Sequence, residues 1–239
     1  MFAVSSPRPF DFDAEYGARY DRFIRRVVPG YEQLYPAILS LLAPRVAEGE
    51  AQVLVVGTGS GSEILTFAGA RPGWRLTGVD PSAQMIAITG ERLRERGQHA
   101  QVKLHQGYVD ELPPEPAFDA ATLDLVLHFL PDDAGPGGKG ELLRQIARRL
   151  KPGAPLVLVD AHGAPGSAAF SAQMEGWMRY CAAAGLSAEQ VADYRGQVDA
   201  SIHFVPEARL LELLAEAGFE APVPFYRFFV FGGWTAVRG

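Results

Sequence analysis

The segment Val53–Leu65 reads VLVVGTGSGSEIL: an apolar run, then three glycines at a two-residue period, Gly57, Gly59 and Gly61. Glycine has no side chain, so a loop of this kind after a strand lets backbone N–H groups come close to a ligand. Three ligand classes compete for it. A phosphate-gripping loop needs GxxxxGK[ST], and no lysine follows here, which removes ATP hydrolysis. The dinucleotide fingerprint G-x-G-x-x-G meets Ser62 where its third glycine belongs, so a dinucleotide is the weaker fit. The G-x-G-x-G spacing suits a ligand without pyrophosphate, whose amino-acid tail lies along the loop. Asp80 ends a second apolar run nineteen residues after Gly61. A carboxylate there can accept both hydroxyl protons of a ribose, and it can also cap the helix beginning PSAQMI.

Other side chains could handle protons. His128, in LVLHFL, and His162, two residues beyond Asp160, both fall near the carboxyl ends of apolar runs. Ligands of open α/β sheets bind there, and an imidazole there can act as general base, although a lone histidine is often structural. His99, His105, His203 and Cys181 show no metal-ligand spacing, so no metal is expected. Val55 stands two residues before Gly57, where such loops often carry an acid. Its presence predicts weaker binding or a substitute carboxylate, with Asp124 the nearest candidate.

These residues need a scaffold. AQVLVV is a short, fully apolar strand of the type buried on both faces of a parallel sheet. Strand-like WRLTGVD, QVKLHQG, FDAATLDL and APLVLVDA alternate with helical patterns over 63–69, 81–97 and 141–150. That alternation predicts an α/β, doubly wound sheet. Residues 10–45 read as helical with a break at VVPGY. Between Gly163 and Pro206 the alternation fails, and the helix-like Ser187–Ile202 suggests an inserted helical cover. PEARLLELLAEAGF is a helix with a glycine stop, and two β-rich runs around Gly232-Gly233 should form an antiparallel edge. The expected organisation is an N-terminal helical cover over 1–45 and a main domain over 46–239 with a helical insertion at 163–205. The loop Pro131–Gly140, PDDAGPGGKG, is the expected mobile segment.

Composition narrows the partners. The 239 residues are 48% hydrophobic and carry a net charge of −6, enough for one sizeable core. Binding to nucleic acid by counterion release favours a basic chain, so nucleic acid is demoted. The short runs RLRER and RQIARRLK read as solvated helix faces, and only such patches keep tRNA open. The single cysteine, Cys181, allows no intramolecular disulfide, and the N-terminus does not resemble a signal peptide. No run of ~18 apolar residues occurs, so no membrane span is expected. A cytoplasmic protein is expected, and pairing as a homodimer stays open.

VLVVGTGSG, GVDPSAQMI, FDAATLDLVLHFL, LLRQIARRLKPGAPLVLVD and LLAEAGF resemble the successive motifs of class I S-adenosylmethionine-dependent methyltransferases. The resemblance implies a seven-stranded Rossmann-like sheet of order 3-2-1-4-5-7-6, its last strand antiparallel, with S-adenosylmethionine as cofactor. Gly57, Thr58, Gly59 and Gly61 would lie against the methionine tail and Asp80 on the ribose. Pro81, Tyr108 and Val109 would flank adenine; family members often carry Asp at the Tyr108 position.

Outside the core, RRVVPGYEQL and YRGQVD are similar to the carboxy-S-adenosylmethionine synthase group of tRNA-modification enzymes. That similarity implies that Tyr31 reaches the cofactor, that Arg195 holds an extra carboxylate, and that Asp124 stands where the group has an Asn touching the cofactor. Three functions follow: methyl transfer to a small-molecule acceptor, carboxy-S-adenosylmethionine synthesis or tRNA-linked modification, and cofactor binding without catalysis. Phe12, Tyr16, Tyr20, Trp177, Tyr180, Tyr194, Phe225 and Tyr226 could line an apolar or aromatic acceptor pocket.

Overall fold

The computed structural model describes residues 9–13, 15–132 and 135–239, with the backbone alone for 15–19. Asp133 and Ala134, within the segment expected to be mobile, lie outside the described residues, as does the side chain of Tyr16. Two helices lead, α1 (Glu15–Val27) and α2 (Tyr31–Leu42). Strand β1 (Gln52–Val56) then opens the alternation: α3 (Ser62–Ala70), β2 (Arg75–Asp80), α4 (Ala83–Glu95), β3 (Val102–Gln106), β4 (Ala120–Asp124), α5 (Lys139–Arg149) and β5 (Pro155–Ala161). Two inserted helices follow, α6 (Ala168–Ala183) and α7 (Ala188–Ser201). The chain ends with α8 (Glu207–Glu216), β6 (Phe219–Phe228) and β7 (Phe231–Arg238).

The strands form a sheet of order β3-β2-β1-β4-β5-β7-β6, parallel except that β7 runs antiparallel to both β5 and β6. Side-chain alternation explains the continuous apolar runs. Val53, Val55, Val157 and Val159 face α2, α3, α6 and α7, whereas Leu54, Val56, Leu156 and Leu158 face α5 and α8. Val55 is thus a core residue with no exposed surface. Serines open three helices: Ser82, Ser167 and Ser187 accept from the N–H of Met85, Phe170 and Gln190. The inserted helical cover is a helix pair. Its Trp177 is fully buried and donates from Nε1 to the Val27 carbonyl at 2.6 Å, tying α6 to the end of α1. No helix of the described residues is long and apolar enough to cross a membrane.

The terminal hairpin departs from expectation. Its turn is at Phe229-Val230, with Phe229 at φ 49°, and Gly232-Gly233 lie inside β7. β7 is an inner strand; β6 is the edge. The glycines are required by packing: a Cβ on Gly232 would stand 2.3 Å from Trp234 Cη2, and one on Gly233 2.9 Å from the Phe225 ring. Gly232→Ala should therefore lower the unfolding free energy by about 1–3 kcal/mol. Gly49→Ala, whose Cβ would meet nothing within 4 Å, should be near neutral; urea titration of the two variants checks the contrast.

Candidate cofactor and acceptor site

At the carboxyl end of β1 the glycine loop turns sharply under tight steric limits. Gly57 has φ 77° and donates to the Val79 carbonyl, and a Cβ there would lie 2.2 Å from Val126 Cγ2. Gly61, at φ 86°, precedes α3, and a Cβ would meet Thr89 at 2.9 Å. Asp80 fastens the loop: its Oδ2 accepts from Gly59 N–H and its Oδ1 from Ser82 N–H, both at 2.9 Å. Loop tethering and helix capping are therefore one act. Each oxygen keeps a lone pair for a further donor, as ribose binding requires. Burial raises the Asp80 carboxyl pKa, and the two N–H groups partly offset it.

Beside the loop opens a cleft. Gly57, Gly59, Asp80, Pro81 and Asp124 line it together with Phe10, Phe12, Tyr20, Phe129, Trp177 and Tyr194. Tyr108, 64% exposed, lines an adjoining groove with Pro81 and Phe12, while Val109 is buried beneath it. Segment 9–13 lines the same groove. Asp13 accepts from the Ser82 hydroxyl at 2.7 Å, and Phe10 N–H donates to the Ser201 hydroxyl.

Behind the loop a narrow recess is lined by Tyr20, Tyr31, Tyr35, Thr58, Glu63 and Asp124. Its carboxyls are almost wholly buried: Glu63 is 4% exposed and Asp124 8%. Burial pushes the Glu63 carboxyl up to about 7, with the nearby Thr122 hydroxyl drawing it partly back. Burial also pushes Asp124 well above the carboxylate range, and the neighbouring Glu63 adds to this. Glu63 was missed in the sequence because an acid in the first turn of an apolar helix is an ordinary helix-start signal.

His128 lines the cleft. Its Nδ1 lies 2.6 Å from Asp160 Oδ1, which also accepts the His128 backbone N–H at 3.0 Å. An oxygen already accepting one N–H makes Nδ1 the donor, which leaves Nε2 as the basic nitrogen of the neutral ring. Asp160 is wholly buried, and no local signal in the chain marks this pairing, which spans 32 residues.

Two expected residues are elsewhere. His162 packs its ring on Trp234 at 5.2 Å, near Glu207 and Arg227 and outside the cleft lining. Burial lowers its pKa, with Arg227 adding to the effect. Arg195, on α7, binds Asp199 through Nε at 2.8 and 2.9 Å and faces a separate outer groove with Phe170 and Met174. Of the expected aromatics, Phe12, Tyr20, Trp177 and Tyr194 reach the cleft; Tyr180, Phe225 and Tyr226 do not line it. Tyr31 stands in the recess behind the loop. Among the described residues no group of three or more His, Cys, Asp or Glu is placed to hold a metal ion.

Residues 54–156 match the family model of a methyltransferase domain. The chain carries a class I S-adenosylmethionine-dependent methyltransferase domain, with S-adenosylmethionine as its cofactor. It is 28% identical to the carboxy-S-adenosyl-L-methionine synthase of Chromohalobacter salexigens, over 96% of this chain and 83% of that protein. It is 30% identical to the demethylmenaquinone methyltransferase of Listeria monocytogenes, over 62% of this chain and 60% of that one. Its fold is similar to that of magnesium protoporphyrin IX methyltransferase from Synechocystis with bound SAH, at a TM-score of 0.67 and 16% identity, covering 95% and 96% of the two chains.

The residues present suit this cofactor: a loop with no room for side chains at Gly57 and Gly61, and buried Thr58 Oγ1 and Asp124 Oδ1 without hydrogen-bond partners among the described residues. The raised Glu63 carboxyl also has a consequence for folding. The folded protein keeps a proton that the unfolded chain releases above about pH 4.5, so this contribution to stability is full below 4.5 and lost as pH rises through about 7. Relative to Glu63→Gln, the wild type should lose on the order of 3 kcal/mol across that range in urea titrations. A pH-independent difference would mean that Glu63 ionises normally.

Proposed function

We propose that this enzyme transfers a methyl group to a small, largely apolar aromatic acceptor, with His128 taking the acceptor's hydroxyl or amine proton. The observation that carries this reading is one cleft joining the glycine loop and Asp80 to an aromatic chamber in which His128 is oriented by Asp160. When bound, S-adenosylmethionine supplies an electrophilic methyl group whose transfer leaves a neutral thioether. The glycine loop and Asp80 would hold the cofactor, and Pro81 and Tyr108 would bracket adenine. Phe10, Phe12, Phe129 and Trp177 would hold the acceptor and keep water away. Alignment of this kind can supply about 7–11 kcal/mol, and a positioned base a further ~10²–10⁴-fold. Asp160 would stabilise the imidazolium that forms at His128. A relative named for a demethylmenaquinone substrate is consistent with an aromatic acceptor.

The test is SAH formation with a panel of hydroxylated aromatic compounds. His128→Gln should lower kcat by ~10²–10⁴-fold while SAH affinity stays within about twofold. Unchanged kcat in that variant would remove His128 from the mechanism.

Carboxy-S-adenosylmethionine synthesis is the second reading, favoured by relatives that match 96% of the chain. Within this chain its expected anion-binding Arg195 is paired with Asp199 outside the cleft, which favours methyl transfer. Arg195→Ala should leave the preference between S-adenosylmethionine and its carboxylated form unchanged in calorimetric titration. A selective loss of affinity for the carboxylated form would reverse the order of the two readings.

A further inference from the structure

The recess behind the glycine loop holds two acids and no base. Glu63 enters from α3 and Asp124 from the end of β4, and one oxygen of each, Oε1 and Oδ1, is buried without a hydrogen-bond partner among the described residues. The Thr58 hydroxyl in the same recess shares that condition. The other titratable groups close to this pair are Tyr20 and Asp21 from α1, Tyr31 and Tyr35 from α2, Asp160 from β5 and Tyr226 from β6. None of them supplies a positive charge. Arg25 and Arg92 line the neighbouring recess, where they bind Asp21, Glu32 and the Ser60 carbonyl. Buried carboxylates without a cation are costly, and a pair of them favours keeping a proton. The space left for the centre of a water-sized group is about 20 Å³, room for roughly one water or one ammonium.

We propose that Glu63 and Asp124 together form a socket for the α-ammonium group of the cofactor's methionyl tail, doing from α3 and β4 what an acid at position 55 would do from β1. The proposal rests on the cofactor assignment above and adds to it a pair of residues and a proton. Val55 points into the core beneath α2 and α3, so no carboxylate reaches the loop from β1. An ammonium group entering the recess gives the unpartnered oxygens their donors. Its charge favours the ionised pair, so the proton that the acids share leaves to solvent as the ligand binds. Burial raises both acids, Glu63 to about 7, so its proton is still present for exchange just below neutral pH.

Calorimetric titration of the full-length protein with SAH, in buffers of different ionisation heat, reads the proton count directly. At about pH 6.5 the wild type should release roughly half to one proton per SAH bound, and SAH affinity should tighten by up to ~10-fold per pH unit up to about pH 7. A Glu63→Gln/Asp124→Asn double variant, checked for folding by its thermal transition, should bind more weakly, release almost no proton and lose that pH dependence. The wild type itself provides the second probe: 5′-methylthioadenosine, which keeps the ribose and adenine but lacks the amino-acid tail, should bind with no proton release. Equal proton release for the two ligands, or SAH binding with none, would overturn the socket while leaving the cofactor assignment intact. Failure of SAH and S-adenosylmethionine to bind at all would overturn the assignment itself.

Discussion

The Asp80 carboxylate accepts one N–H from the glycine loop and one from the start of α4, and the geometry of the site depends on that double bond. It joins the turn after β1 to the turn after β2 across neighbouring parallel strands. The loop could not otherwise keep three left-handed glycines in register with Val126 and Thr89, whose side chains occupy the space that Cβ atoms would need. Thr89 reinforces the arrangement by donating from its hydroxyl to the Gly59 carbonyl. A ligand that approaches the loop therefore meets a preformed backbone surface, and little ordering remains to oppose its binding.

Two elements frame the aromatic part of the cleft. One is the helix pair α6–α7 with α1, in which Trp177 touches Tyr194 and Phe231 edge-on and holds the end of α1 through its indole N–H. The other is segment 9–13, joined to α4 and α7 through Asp13 and Phe10. Phe10 and Phe12 of that segment line the cleft alongside Trp177 and Tyr194.

What the sequence made legible was whatever the local chain determines. The glycine period, the acid at the end of β2 and the buried runs of β1, β4 and β5 each reflect a constraint within a few residues, and the sheet order followed from a family resemblance carried by those same motifs. Long-range relations were not legible. Nothing near His128 announces Asp160, and the partner of Arg195 decides that it stays on α7. The Gly232-Gly233 pair looked like a turn because glycine serves turns and close packing alike, and only the positions of Trp234 and Phe225 tell the two apart. Glu63 was hidden in the same way, since its burial depends on β4 and α2 rather than on its helix.

Strand β6 has a further effect. It closes the sheet on one side with Val223 and Phe228 about half exposed, a surface that would ordinarily invite another strand. Pro222 and Pro224 remove two backbone donors from it, and register shifts interrupt its pairing with β7 on either side of Val223. The outer rim is therefore a poor template for backbone-to-backbone growth. Contact between copies through this edge would have to rely on side chains, and the sheet ends at seven strands by construction.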